Sequence, residues 1–188
     1  MQLSVAVLPP DHVREAVTGI VARVPGAAQQ LELTHAGAFR LRIIGLGNLT
    51  VPDARRLHEA LYWPTRRFGL KARIRLSGVW ALEDETDPSI ALKVQGDVEH
   101  LAHIARNLPP LVADHAFYVD RRLFVPRLTV AKVTDATTVP VLEQVVEALG
   151  RYESPEWEVS SVQLLSRVHR DTGYSFEVFE DLPTSPEA

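Results

Sequence analysis

Two short stretches hold the residue types best suited to chemistry. One is Arg40-Leu41-Arg42-Ile43; the other, much later, is Arg127-Leu128-Thr129-Val130. Each alternates polar and apolar residues with the period of a strand. Arg40 and Arg42 therefore share one face, Arg127 and Thr129 share another, and the aliphatic residues between them turn to the core. Brought together, these guanidiniums and the hydroxyl would form an anion site, because arginine's planar fork matches two oxygens of a phosphate. The residues leave a second outcome open, and for short patterns it is the commoner one. Alternating arginines can be the wet face of a sheet, their stems covering apolar neighbours.

Composition narrows the chemistry further. The chain has 188 residues, 46% hydrophobic and 23% charged, which suits one folded domain with a sizeable core. Net charge is -4, so any nucleic-acid contact must come from a local basic patch. There is no cysteine, which excludes disulfides, thiol nucleophiles and thiolate-ligated zinc. No apolar run has membrane-spanning length, and the opening residues read as a first strand, not a leader. A cytoplasmic location is the default expectation. The sequence sets no oligomeric state.

The elements that must position these residues follow from the pattern. A strand over 3–8 ends at Pro9-Pro10, and Asp11 caps a helix to about residue 24, burying Val13, Val17, Ile20, Val21 and Val24. A strand over 38–46 leads through a turn to a helix capped by Asp53, ending before Pro64. Residues 70–82 and 89–94 form strands around an acidic loop, Glu83 to Pro88. Lys71, Arg73 and Arg75 share a face of the first, as expected of a guarded edge strand. Asp97 caps a helix to about Asn107, broken by Pro109-Pro110. A strand over 123–133, a helix over 138–150, and strands over 157–168 and 173–180, turning at Gly173, complete the order. The class is α+β: one two-lobed domain over 1–182 and a flexible tail over 183–188.

Other candidates carry weaker signals. His100 and His103 have a metal-ligand spacing, with Asp97 one turn back, but such a pair is usually the wet face of a helix, and no metal site is assigned. His35 precedes the first arginine strand and can reach its face; a loop histidine is the plainer reading. His169 is expected in an exposed turn. Tyr118, Tyr174, Phe124, Trp63 and Trp80 could stack on a base, though each type is more often a core or boundary residue.

The chain resembles the two-histidine phosphoesterases of the RNA 2′,3′-cyclic phosphodiesterase (2′-5′ RNA ligase-like) type. The opening LSVAVLPPDHVREAV is similar to that family's strand followed by Leu-Pro-Pro. RLRIIGLGN stands where the family has His-x-Thr-x before Phe-Leu-Gly, which places Arg40 at the histidine and Arg42 at the threonine. FVPRLTVAK matches Phe-x-Pro-His-x-Thr-x-Ala-Arg, with Phe124, Pro126, Thr129 and Ala131 in place, Arg127 at the histidine and Lys132 at the final base. The closing LLSRVHRDTGYSFEVF supplies Ser166, Gly173 and Tyr174, and GVWALEDETDPSIALKVQGD resembles the family's middle strand-loop-strand.

The resemblance implies a bilobal α+β fold: two antiparallel sheets with flanking helices, related by a pseudo-twofold axis around a central cleft. In the family two histidines act as general base and acid on a cyclic phosphate or 2′-5′ linkage, without metal or other cofactor. Arginine, protonated at every pH near neutrality, cannot take that role, although it can hold phosphate oxygens. The expectation is a catalytically impaired protein binding an RNA end, nucleotide or other phosphorylated ligand through Arg40, Arg42, Arg127 and Thr129, with no catalytic residue assigned. Two alternatives stand beside it. One is an active cyclic phosphodiesterase with non-standard acid and base groups. The other is a protein-interaction module on the same fold.

Overall fold

A computed structural model describes residues 1–82, 88–120, 122–171 and 173–186; the expected acidic loop lies largely outside the described residues. The elements are β1 (Gln2–Val7), α1 (Asp11–Ala22), α2 (Ala27–Gln30), β2 (Leu31–Leu33), β3 (Leu41–Asn48), α3 (Val51–Arg66), β4 (Ala72–Ala81), β5 (Ser89–Gly96), α4 (Val98–Asp114), β6 (Arg127–Val133), α5 (Val139–Gly150), β7 (Trp157–Val159), β8 (Ser161–Arg170) and β9 (Gly173–Pro183).

The strands form two antiparallel sheets, ordered β3-β1-β8-β9 and β2-β6-β5-β4-β7. Within each, β-α-β units place β3 beside β1 and β6 beside β5, with β8 and β4 on the far sides of β1 and β5. The two arginine stretches thus sit at equivalent places in two equivalent sheets. Helices pack on one face of the strands. Leu3, Val5 and Val7 of β1 meet Val13, Val17 and Val21 of α1 in a buried core that continues through Leu57, Leu61, Leu101, Leu108 and Val145.

Several expected boundaries move. Pro10, not Asp11, occupies the cap of α1: its carbonyl takes the Val13 and Arg14 N–H groups at 3.0 and 3.1 Å, while Asp11 pairs with Arg14. Thr50, not Asp53, caps α3, its hydroxyl accepting from the Asp53 N–H at 3.2 Å. That helix runs through Pro64, and α4 runs through Pro109 and Pro110. In each case a buried stripe continues past the proline, Leu57-Leu61-Thr65 and Leu101-Leu108-Val112, and its burial outweighs the missing hydrogen bond. Asp97 makes no side-chain cap on α4; its carboxylate takes the Arg73 N–H at 2.9 Å.

β4 is not an edge. It lies between β5 and β7, and β7 pairs with it from Ala72↔Val159 to Ile74↔Trp157. The expected strand over 157–168 is two strands in different sheets, because the chain changes sheets at Ser160. The expected loose tail is anchored through Ser185. Thr184 and Ser185 are buried, Thr184 N–H donates to Ser160 O at 2.9 Å, and Leu70 N–H donates to Thr184 O at 2.8 Å.

Candidate functional site

β3 and β6 border a cleft of about 950 Å³ between the sheets, lined by Arg40, Arg42, Arg127 and Thr129 together with His35, Arg122 and Tyr174. All four residues singled out in the sequence meet there. β6 supplies its pair by plain alternation: Leu128 and Val130 are buried, while Arg127 and Thr129 are half-buried toward the cleft. The other side is built differently. The expected strand start is taken by a 3₁₀ turn over Ala36–Ala38, closed by Ala38 N–H on His35 O at 2.8 Å, so Arg40 lies just ahead of β3. β3 then bulges near Ile43, where its register with β1 skips from Ala6↔Arg42 to Val5↔Ile44.

The arginines have different surroundings. Arg42 is tied to Asp120, Nη2 to Oδ2 at 2.5 Å. The same carboxylate takes the Arg122 N–H at 3.0 Å and lies 3.4 Å from Arg122 Nε. Burial pushes the Asp120 carboxyl upward. The Arg122 N–H and the Arg42 and Arg122 guanidiniums outweigh it and hold the group below its ordinary 3.8. Gly45 makes room for the pair, since a Cβ there would sit 2.7 Å from Arg42 Nη2, and its carbonyl anchors the Asp120 N–H at 2.8 Å.

Arg40 instead lays its guanidinium 3.6 Å from the centroid of the Phe176 ring. Burial lowers its pKa to about 10, with Tyr174 opposing the shift and Arg42 and Arg167 adding to it. Arg127 begins β6, its own N–H donating to Val125 O at 2.8 Å. Among the described residues, neither Arg40 nor Arg127 has a carboxylate within ion-pair distance.

His35 does line the cleft; it is exposed, with its ring beside Gly173, where an added Cβ would lie 3.4 Å from it. His100 lies elsewhere, its Nδ1 2.7 Å from Lys71 O, and the His103 ring meets Phe68 edge-on. No group of three or more His, Asp or Glu among the described residues is arranged to hold a metal. His169 is exposed on β8 itself. Of the aromatic candidates, Tyr174 lines the cleft, Phe124 packs on the core, Trp80 lies under Lys93, and Trp63 is 64% exposed on α3, outside the cleft lining. Sequence reasoning missed Asp120, Arg122, Phe176 and Arg167. Asp120 meets Arg42 across 78 positions of sequence, a pairing with no local signal.

Comparison with known proteins agrees with this architecture. No family model matches the chain. An RNA 2′,3′-cyclic phosphodiesterase of Aeropyrum pernix is 26% identical over 127 residues, 67% of this chain and 70% of that protein. Among solved structures, the protein TT0787 of Thermus thermophilus superposes with a TM-score of 0.73 at 19% identity, covering 99% of this chain and 100% of that one. LigT of Escherichia coli in complex with 3′-AMP gives 0.71 at 15% identity, covering 97% of each chain. The chain thus shares the fold of these solved structures and is similar in sequence to that phosphodiesterase. The two antiparallel sheets with helices expected from the sequence are those of the fold these structures share. No helix is long and apolar enough to cross a membrane among the described residues.

Proposed function

We propose that this protein binds a phosphate ester, an RNA end or a nucleotide, in the cleft between its sheets, and that arginines at the two histidine positions of the motifs leave it without the family's acid-base turnover. The supporting observation is the convergence of Arg40, Arg42, Arg127 and Thr129 on one cleft, two of the arginines lacking a carboxylate partner among the described residues. A guanidinium offers paired donors to phosphate oxygens, and a buried unpaired cation is costly until an anion arrives. Even lowered to about 10, Arg40 keeps its proton far above neutrality, so it serves as an electrostatic clamp and not as a base. The curated relative's name, an RNA 2′,3′-cyclic phosphodiesterase, and the LigT complexes with 3′-AMP, ATP and phosphate point to the same ligand chemistry.

A second reading has its own observation: His35 and Tyr174 line the cleft and could carry protons in place of the missing histidines. One experiment separates the two. Binding and hydrolysis of a 2′,3′-cyclic nucleotide are measured together in wild type, Arg127→Ala and His35→Ala. The proposal expects binding without turnover, and affinity lower by about ten-fold or more in Arg127→Ala. Turnover abolished by His35→Ala would establish the second reading instead. Unchanged affinity in Arg127→Ala would remove the cleft from the function.

A further inference from the structure

Of the three motif arginines that line the cleft, only Arg42 has a carboxylate partner among the described residues. That partner, Asp120, comes from outside both sheets. It lies in the segment between α4 and β6, where the chain crosses the edge of β3. The Asp120 carboxylate gathers three donors: Arg42 Nη2 at 2.5 Å, the Arg122 N–H at 3.0 Å and Arg122 Nε at 3.4 Å. Donors converging on the two oxygens of one anion are what a phosphate would also require. An acidic side chain of the protein thus stands where a ligand's charge is expected.

The pair is open to what enters the cleft. Arg42 and Arg122 line both the cleft and an adjoining pocket of about 360 Å³, whose wall includes Asp120. The Arg42 side chain is 33% exposed and that of Asp120 19%. Solvent therefore reaches both members, and a pair so exposed contributes little to stability. The backbone around Asp120 has other anchors. Its N–H donates to Gly45 O at 2.8 Å, and Phe117 and Val119 pack against the core. The carboxylate can then turn away from Arg42 without the segment leaving β3, and Arg122 gives it a second partner to keep.

We infer that Asp120 is an internal competitor for the anion site: its carboxylate holds Arg42 as a ligand's phosphate would, and a phosphate gains Arg42 only by displacing it. This rests on the phosphate-binding reading of the cleft and adds the regulation of that site. Affinity is set below what three arginines without a carboxylate would give. By linkage, whatever draws Asp120 off Arg42 strengthens binding by the same factor with which binding loosens the pair. An ion pair that only ties the segment to β3 would behave differently. Breaking it would weaken binding or leave it alone.

The test is calorimetric titration of inorganic phosphate at neutral pH into wild type, Asp120→Asn and Asp135→Asn, with thermal melts of each to confirm folding. Asparagine keeps an oxygen for the Arg122 N–H, and so keeps the local turn, while the charge is lost. Asp135, exposed in the turn before α5 and outside the cleft lining, controls for net charge. Asp120→Asn should bind phosphate about five-fold tighter than wild type, the most that a partly exposed pair would withhold. Asp135→Asn should match wild type. Equal or weaker binding in Asp120→Asn overturns the competition and leaves the cleft reading standing, as does equal tightening in both variants. Should Asp120→Asn not fold, wild type answers instead. The carbon NMR resonance of the Asp120 carboxyl should move as phosphate saturates the protein, and a fixed resonance with phosphate bound overturns the inference. Phosphate bound by none of the three proteins overturns the cleft reading as well.

Discussion

Arg40 and Arg42 stand two positions apart yet meet different fates, and the difference lies in what tertiary structure brings to each. Arg42 finds Asp120, whose carboxyl is held low, so its favourable contribution is complete above the unfolded value of 3.8 and is lost as pH falls through the folded one. Arg40 finds an aromatic ring and no carboxylate among the described residues. Its folded pKa of about 10 lies well below arginine's ordinary value. The unfolded chain therefore binds the proton more tightly, and the charge costs stability at every pH below about 10, relieved only as pH rises from there toward arginine's ordinary value. Replacing Arg40 with Met should raise stability at neutral pH by about 1 kcal/mol and weaken phosphate binding in the same protein. A melting temperature that falls in Arg40→Met would mean that the Phe176 contact outweighs desolvation. A residue kept at a cost to the fold is the pattern expected of a binding site.

The strands hold their faces by alternation, but their ends depend on a few backbone positions. Gly96 closes β5 with φ at 101°, and a Cβ there would lie 2.2 Å from the Arg73 carbonyl oxygen. This close approach lets the Asp97 N–H reach that oxygen at 2.9 Å while the Asp97 carboxylate takes the Arg73 N–H, clasping β4 to the start of α4. Gly96→Ala should therefore cost about 2 kcal/mol or more in urea denaturation. A loss below about 0.5 kcal/mol would show that the clasp contributes little. Proline teaches the converse. Pro64, Pro109 and Pro110 have strong local reasons to stop a helix, and the buried stripes of α3 and α4 override them.

At the scale of the molecule, the two sheets are joined where the chain crosses from β7 to β8 and where the C-terminal segment crosses back. Thr184 bridges Ser160 and Leu70, its hydroxyl donating to Leu70 O at 2.8 Å beside its two backbone bonds. Arg66 also donates to Pro186 O. Truncation after Pro183 should then destabilise the protein by about 3 kcal/mol, at roughly 1 kcal/mol for each of the Thr184 hydrogen bonds, the exposed Arg66 contact adding little. Thermal unfolding at equal protein concentration reads this directly, and an unchanged melting temperature would mean that the segment merely lies on the surface. The cleft runs between the sheets, so this truncation also tests whether their junction carries the site.

The sequence by itself determined which residues face which way. Arg127 and Thr129 against Leu128 and Val130 is a period-two pattern, and any strand with one buried face must display it. The core positions of α1 and the motif order along the chain were legible for the same reason: they are set by near neighbours. Tertiary structure decided the remainder. Where α3 and α4 end, that β4 lies inside its sheet, and that the last residues are buried all depend on partners distant in sequence. So does the division of labour among the arginines. Which of them meets a carboxylate and which meets a ring is fixed by the 117–120 segment crossing β3 and by β9 folding back on β8. Local propensity carries no information about such crossings, since the energy that selects them is released only when the sheets close over the shared core.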